Sequence, residues 1–108
     1  MMYYDFEIDN KVYKLRLSTR SVIALEAVLG CNPLAIFGDG KRIPTITEMV
    51  AILHASLQQF NHGITLNDAY DIFDKFLEQG NMATDFIKVI VEVYKVSGII
   101  KEEANEKN

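Results

Sequence analysis

The chain has one cysteine, Cys31, and no tryptophan. A lone cysteine rules out an internal disulfide and suits a reducing compartment. Only two histidines are present, His54 and His62. A zinc site wants about three protein ligands at matched spacing, and no such set is visible. No apolar run approaches the roughly 20 residues that cross a bilayer, so no membrane partner is expected. Basic residues are outnumbered, 11 Lys and Arg against 15 Asp and Glu, for a net charge of −4. Phosphate-backbone binding needs the opposite footprint, which argues against a nucleic-acid partner. The opening Met-Met-Tyr-Tyr-Asp-Phe-Glu lacks the basic and apolar regions of a signal peptide, so the chain is expected to stay where it is made.

No catalytic constellation offsets these absences. Cys31 sits between Gly30 and Asn32-Pro33, and a nucleophile there would need a base that the spacing does not supply. Asp39, between Gly38 and Gly40, is acidic where a phosphate cradle needs backbone donors and a lysine, so the loop to Pro44 reads as a hinge. Asp68, Asp71, Asp74 and Glu78 lie inside a helical pattern, not around the glycine of a calcium loop. Asp71, Asp74 and Glu78 form an acidic strip whose simplest role is a solvated face; docking of a basic partner is the functional alternative. Tyr3, Tyr4 and Tyr13 cluster among mixed charges, which suits packing or a protein interface better than base stacking. The expectation is a non-enzyme without cofactor or metal.

What is present is a globular balance. Of 108 residues, 49% are hydrophobic and 24% charged, enough for one domain with one modest core. Residues 2–17 alternate as a β-hairpin. A turn at Asp9-Asn10 pairs Phe6 with Tyr13, Tyr4 with Leu15, Asp5 with Lys14 and Tyr3 with Arg16, so apolar meets apolar and opposite charges meet. Its open edges are expected to lie on helices or to join strands of another chain.

Helices follow at about 19–29, 33–37, 46–60, 66–79 and 84–97. Ser18 caps the first and Gly30 stops it. Asn32-Pro33 starts a helix of a turn or so. Thr45-Ile-Thr-Glu48 is a capping box, and Thr65 with Asp68 repeats the arrangement. Asn81 or Thr84 is expected to cap the last helix, and Gly98 to close it. That helix carries a thin polar strip of Lys88, Glu92 and Lys95 among apolar residues, and reads as the core helix on which the rest pack. The expected fold is α+β, mainly α: an N-terminal hairpin on a small bundle of about four to five helices, one domain over 1–100. Residues 101–108 form a charged tail expected to be disordered.

One family shares these features. The run Tyr13-Lys-Leu-Arg-Leu-Ser-Thr-Arg20, then Leu25-Glu26, Leu29-Gly30, Asn32-Pro33-Leu34 and Phe37, resembles the opening of tail assembly chaperones from siphovirus-type bacteriophages and prophages. Met49-Val-Ala-Ile-Leu-His-Ala-Ser-Leu57, Gly63-Ile-Thr-Leu66 and Asp68-Ala-Tyr-Asp71 fit the same family. The resemblance implies a role in virion assembly in the cytoplasm of a bacterial host. It implies coating the tape-measure protein and recruiting tail-tube subunits; the apolar surfaces of the chain are themselves expected to support self-association. It also implies a longer product made by −1 frameshifting, and Lys107-Asn108 is compatible with an A-rich slippery codon pair. The surface expected to do the binding is Tyr3, Val12, Val89, Val93, Val96, Ile99 and Ile100. The alternative is another small phage adaptor, of the head–tail connector type.

Overall fold

A computed structural model describes residues 2–38, 40 and 42–101. The charged tail beyond Lys101, the frameshift position and two residues of the hinge loop lie outside the described residues. The architecture is α+β, mainly α. A two-stranded antiparallel hairpin, β1 (Tyr4–Ile8) and β2 (Lys11–Leu15), precedes four α-helices: α1 (Thr19–Leu29), α2 (Ile46–Leu57), α3 (Leu66–Glu78) and α4 (Phe86–Val96). Short 3₁₀ segments at Pro33–Phe37 and Ala83–Asp85 join α1 to the loop before α2 and lead into α4.

The hairpin register follows from its chemistry. Asp9 and Asn10 take φ of 50° and 66°, the left-handed pair that a two-residue turn of matching twist requires. Tyr4 then faces Leu15, Asp5 faces Lys14 and Phe6 faces Tyr13, as the alternation predicts. Phe6, Ile8 and Leu15 are buried, and Phe6 enters a ring cluster with Phe73, Phe76 and Phe86. The closest of these contacts, Phe73 to Phe86, is edge-on at 5.3 Å between centroids. Such aromatic pairs add roughly 0.5–1.5 kcal/mol each beyond their buried area, so this cluster fastens β1, α3 and α4 to one another.

The helix starts are chemically specified. Ser18 accepts from the Ser21 amide, and Asn32 accepts from the Leu34 amide. Thr45 and Thr65 each accept an amide and return one through Glu48 and Asp68, two complete capping boxes. Gly30 closes α1 at φ 74°, donating to the Glu26 carbonyl in a conformation that strains any residue with a Cβ.

Three expectations need correction. The helix beginning at Ile46 ends at Leu57, not Phe60. The Asn61 amide and side chain both donate to the Leu57 carbonyl, and the Gln58 side chain donates to His54 and Ile64, so the carbonyls of the last turn are satisfied there. Neither Asn81 nor Thr84 caps α4. Asn81 instead donates back to the Phe76 carbonyl, and the Asp85 carboxylate accepts from the Met82 amide at the start of the 3₁₀ turn. Finally, α4 is not the element most enclosed by the others. That position belongs to α2, where every residue from Met49 to Leu57 except His54 is buried. It packs on α1, α3, α4 and β2.

The last helix is nevertheless covered along its apolar side. Phe86, Val89, Ile90, Val93 and Tyr94 are all buried. The Tyr94 hydroxyl donates to the Pro33 carbonyl at 3.0 Å, and burial pushes its ionisation well above the ordinary tyrosine range. Arg16 donates to the Val96 carbonyl at 2.6 Å, placing a cation at the negative end of α4. The Leu17 amide donates to Ser97, so the strand-to-helix connection is tied to the end of α4.

Candidate functional site

The residues expected to form the binding surface do not come together as one. Val89 and Val93 belong to the core; Val93 is 1% exposed and no partner can reach it. Lys88 of the polar strip is exposed while Glu92 and Lys95 are half-buried, and these valines face the other way. Tyr3 is half-buried, edge-on to Phe60 at 5.5 Å, with the Lys14 ammonium over its ring. Ile99 and Ile100 fold back on the core, their amides donating to the Tyr94 carbonyl. Val96 is half-buried. Val12 alone of the seven stands open, 51% exposed on the outer face of β2.

Nor are both hairpin edges open. The Arg16 amide donates to the Ser56 carbonyl and the Asn61 side chain donates to the Lys14 carbonyl, so the end of α2 ties off one end of the β2 edge. The opposite strand carries the exposed carboxylates Asp5 and Glu7, charges that discourage the addition of a further strand.

A continuous open apolar surface lies in a groove between α1 and the start of α3, with α2 as its floor. One hollow is lined by Ser21, Ala24, Leu25 and Val28 of α1, Ala51, His54 and Ala55 of α2, Gln58 after it, and Leu66 of α3. A second, lined by Ile46, Thr47, Val50 and Tyr70, joins it at Val28, Ala51 and Leu66. The floor arises because α2 carries two faces. Met49, Ile52, Leu53 and Ser56 point to the core, while Thr47, Ala51, His54, Ala55 and Gln58 recur at helical spacing on a second side. Small residues on that second side let an approaching backbone come close. The walls are large and uncovered: Val28 is 71% exposed, Ile46 54%, Tyr70 48% and Leu66 43%.

Helical periodicity alone puts these wall residues on apolar stripes: Val28 with Leu25 on α1, Ile46 with Met49, Val50 and Leu53 on α2, and Leu66 and Tyr70 with Phe73 on α3. Only Leu25 of α1 is fully buried. The one available signal was the small-residue spacing of Ala51 and Ala55 beside His54.

The groove holds little that could carry chemistry. His54 is its single imidazole, and His62 stands apart and exposed. Cys31 is an exposed free thiol outside the groove lining. Among the described residues no group of three or more His, Cys, Asp or Glu is placed to hold a metal ion. No helix among them is long and apolar enough to cross a membrane.

Fold and site together define a small α+β protein whose open apolar surface is a groove between helices. The chain belongs to DUF6096, a family of unknown function, whose model matches residues 5–108. No curated protein and no solved structure matches the chain.

Proposed function

We propose that this protein is a non-enzymatic tail assembly chaperone of a phage or prophage, acting in the host cytoplasm. It shelters a helical segment of the tape-measure protein in the groove between α1 and α3 and helps recruit tail-tube subunits. The observation that carries this reading is the groove itself. A chain of this size has few apolar side chains to spare, yet Val28, Ile46, Leu66 and Tyr70 stand in water side by side. A contiguous apolar surface rimmed by polar residues is the ordinary mark of a protein-binding site. A concave one floored by alanines suits the apolar face of a helix. A tape-measure protein is long and helical, and a coat for it needs such surfaces. The resemblance carried by Tyr13–Arg20 and the later runs supports the same role.

Co-expression with a tape-measure protein tests the reading. The complex is expected to survive affinity capture, and Val28→Asp is expected to lose it while the protein stays folded. Capture unaffected by Val28→Asp, or no capture at all, would overturn the assignment. Capture of a head–tail connector component in its place would favour the adaptor role instead.

A further inference from the structure

We infer that the groove between α1 and α3 selects an amphipathic helix with basic residues at one end, the end that lies beside Tyr70; the inference rests on the helix-capture reading above. The two sides of the groove differ in charge. On α1 the lining residues are Ser21, Ala24, Leu25 and Val28, none of them charged. On α3 the wall begins with Leu66 and Tyr70. One turn past Tyr70, on the same line of the helix, stands Asp74, with Glu78 a further turn on. Asp71 faces a separate hollow on the hairpin side of α3, with Lys11 and Lys75. All three are exposed, and none takes part in an ion pair among the described residues.

The chain path places this acidic strip at one end of the groove. Leu66 sits with Ser21, Ala55 and Gln58, at the close of α2. Tyr70 sits with Ile46, Thr47 and Val50, at its start. The helix α3 therefore runs antiparallel to α2, and Asp74 and Glu78 continue beyond the Ile46 end. A helix lying on Ala51 and Ala55 would emerge past Tyr70 beside the carboxylates of Asp74 and Glu78. Lysine or arginine there gains charge pairs and loses none already made; glutamate there meets like charge. The α1 wall is uncharged, so the strip sets which end of the bound helix carries the basic residues.

Two synthetic helical peptides of about 18 residues, long enough to hold helical structure, test this. Both carry the same Leu and Ala stripe; one ends in three lysines and the other in three glutamates at the same positions. The lysine peptide is expected to bind the full chain about tenfold more tightly at low salt, a margin that largely disappears near 0.5 M salt. Asp74→Lys with Glu78→Lys is expected to reverse the order. Equal binding of both peptides, abolished by Val28→Asp, would overturn the charge selection and leave helix capture standing. Binding of neither peptide would overturn both. So would a dimer in sedimentation that Val28→Asp disperses, since a second copy would then be the occupant.

Discussion

Two regions of this molecule are built from similar residues and reach opposite ends. Where the hairpin meets α3 and α4, Phe6, Phe73, Phe76 and Phe86 close on one another and water is excluded. Where α1 meets α2 and the start of α3, Val28, Ile46, Leu66 and Tyr70 have apolar character but remain open. The difference lies in coverage. The ring cluster is enclosed by three elements at once, whereas α1 packs on α2 and the Pro33–Phe37 turn with Leu25 alone fully buried and, among the described residues, leaves Val28 71% exposed. An apolar stripe states a need for cover; only neighbouring elements decide whether this chain meets it.

The largest test of that contrast uses one substitution at two sites. Val93→Asp buries a carboxylate with no cationic partner, which costs several kcal/mol and should leave no cooperative thermal transition. Val28→Asp should shift stability by no more than about 0.5 kcal/mol, because the side chain stays in water. Similar melting curves for both variants would abolish the distinction between the regions. Next in size is Phe86→Ala, which removes the ring shared by three others. Denaturant unfolding should show a loss of about 3–5 kcal/mol. A loss under 1 kcal/mol would mean that the cluster is not what fastens β1 to α3 and α4.

Tyr94→Phe should cost about 1–3 kcal/mol, since it leaves the buried Pro33 carbonyl without its donor. The effect belongs to the sealed region, so partner capture at the groove should be unchanged. Smallest is the effect of acid on the two capping boxes. Glu48 is held below the usual carboxylate range first by its hydrogen bond from Arg42, with the Thr45 amide adding to it. Asp68 is lowered by the hydrogen bond from the Thr65 amide. Both folded values lie below the unfolded ones. Their stabilisation is therefore complete above the ordinary carboxylate range and is lost as pH falls through the depressed values. Melting temperature should drop across that window, and the Glu48→Gln and Asp68→Asn variants should each show a shallower drop. An unchanged slope in both would remove the boxes as the acid-sensitive element.

Much of the fold was legible in the residues. The hairpin register could be read because a one-residue slip would set charged residues opposite apolar ones, Asp5 against Leu15 and Lys14 against Phe6, and turn one strand's apolar set away from the core. Ser18, Asn32, Thr45 and Thr65 could be read as caps because each has a short oxygen-bearing side chain just before a helical run. The start of α4 could not. Asn81 has the chemistry of a cap, but the Phe76 carbonyl takes its side chain, a choice made by chain geometry after α3. The groove was the least legible feature. Val28 and Leu25 have the same helical credentials, and their fates separate only when α2 and α3 are in place.

By itself the sequence determined most of the elements: where α1, α2 and α3 begin, the turn at Asp9-Asn10, the pairing of strands, and the surplus of acidic charge. These depend on residues a few positions apart, whose interactions survive whatever the rest of the chain does. The tertiary structure alone decided which apolar stripes met a partner, that α2 and not α4 sits among the other helices, and that Leu66 and Tyr70 wall a groove with Val28 and Ile46. Burial is a relation between distant segments, and no local pattern records which segment arrives to cover which.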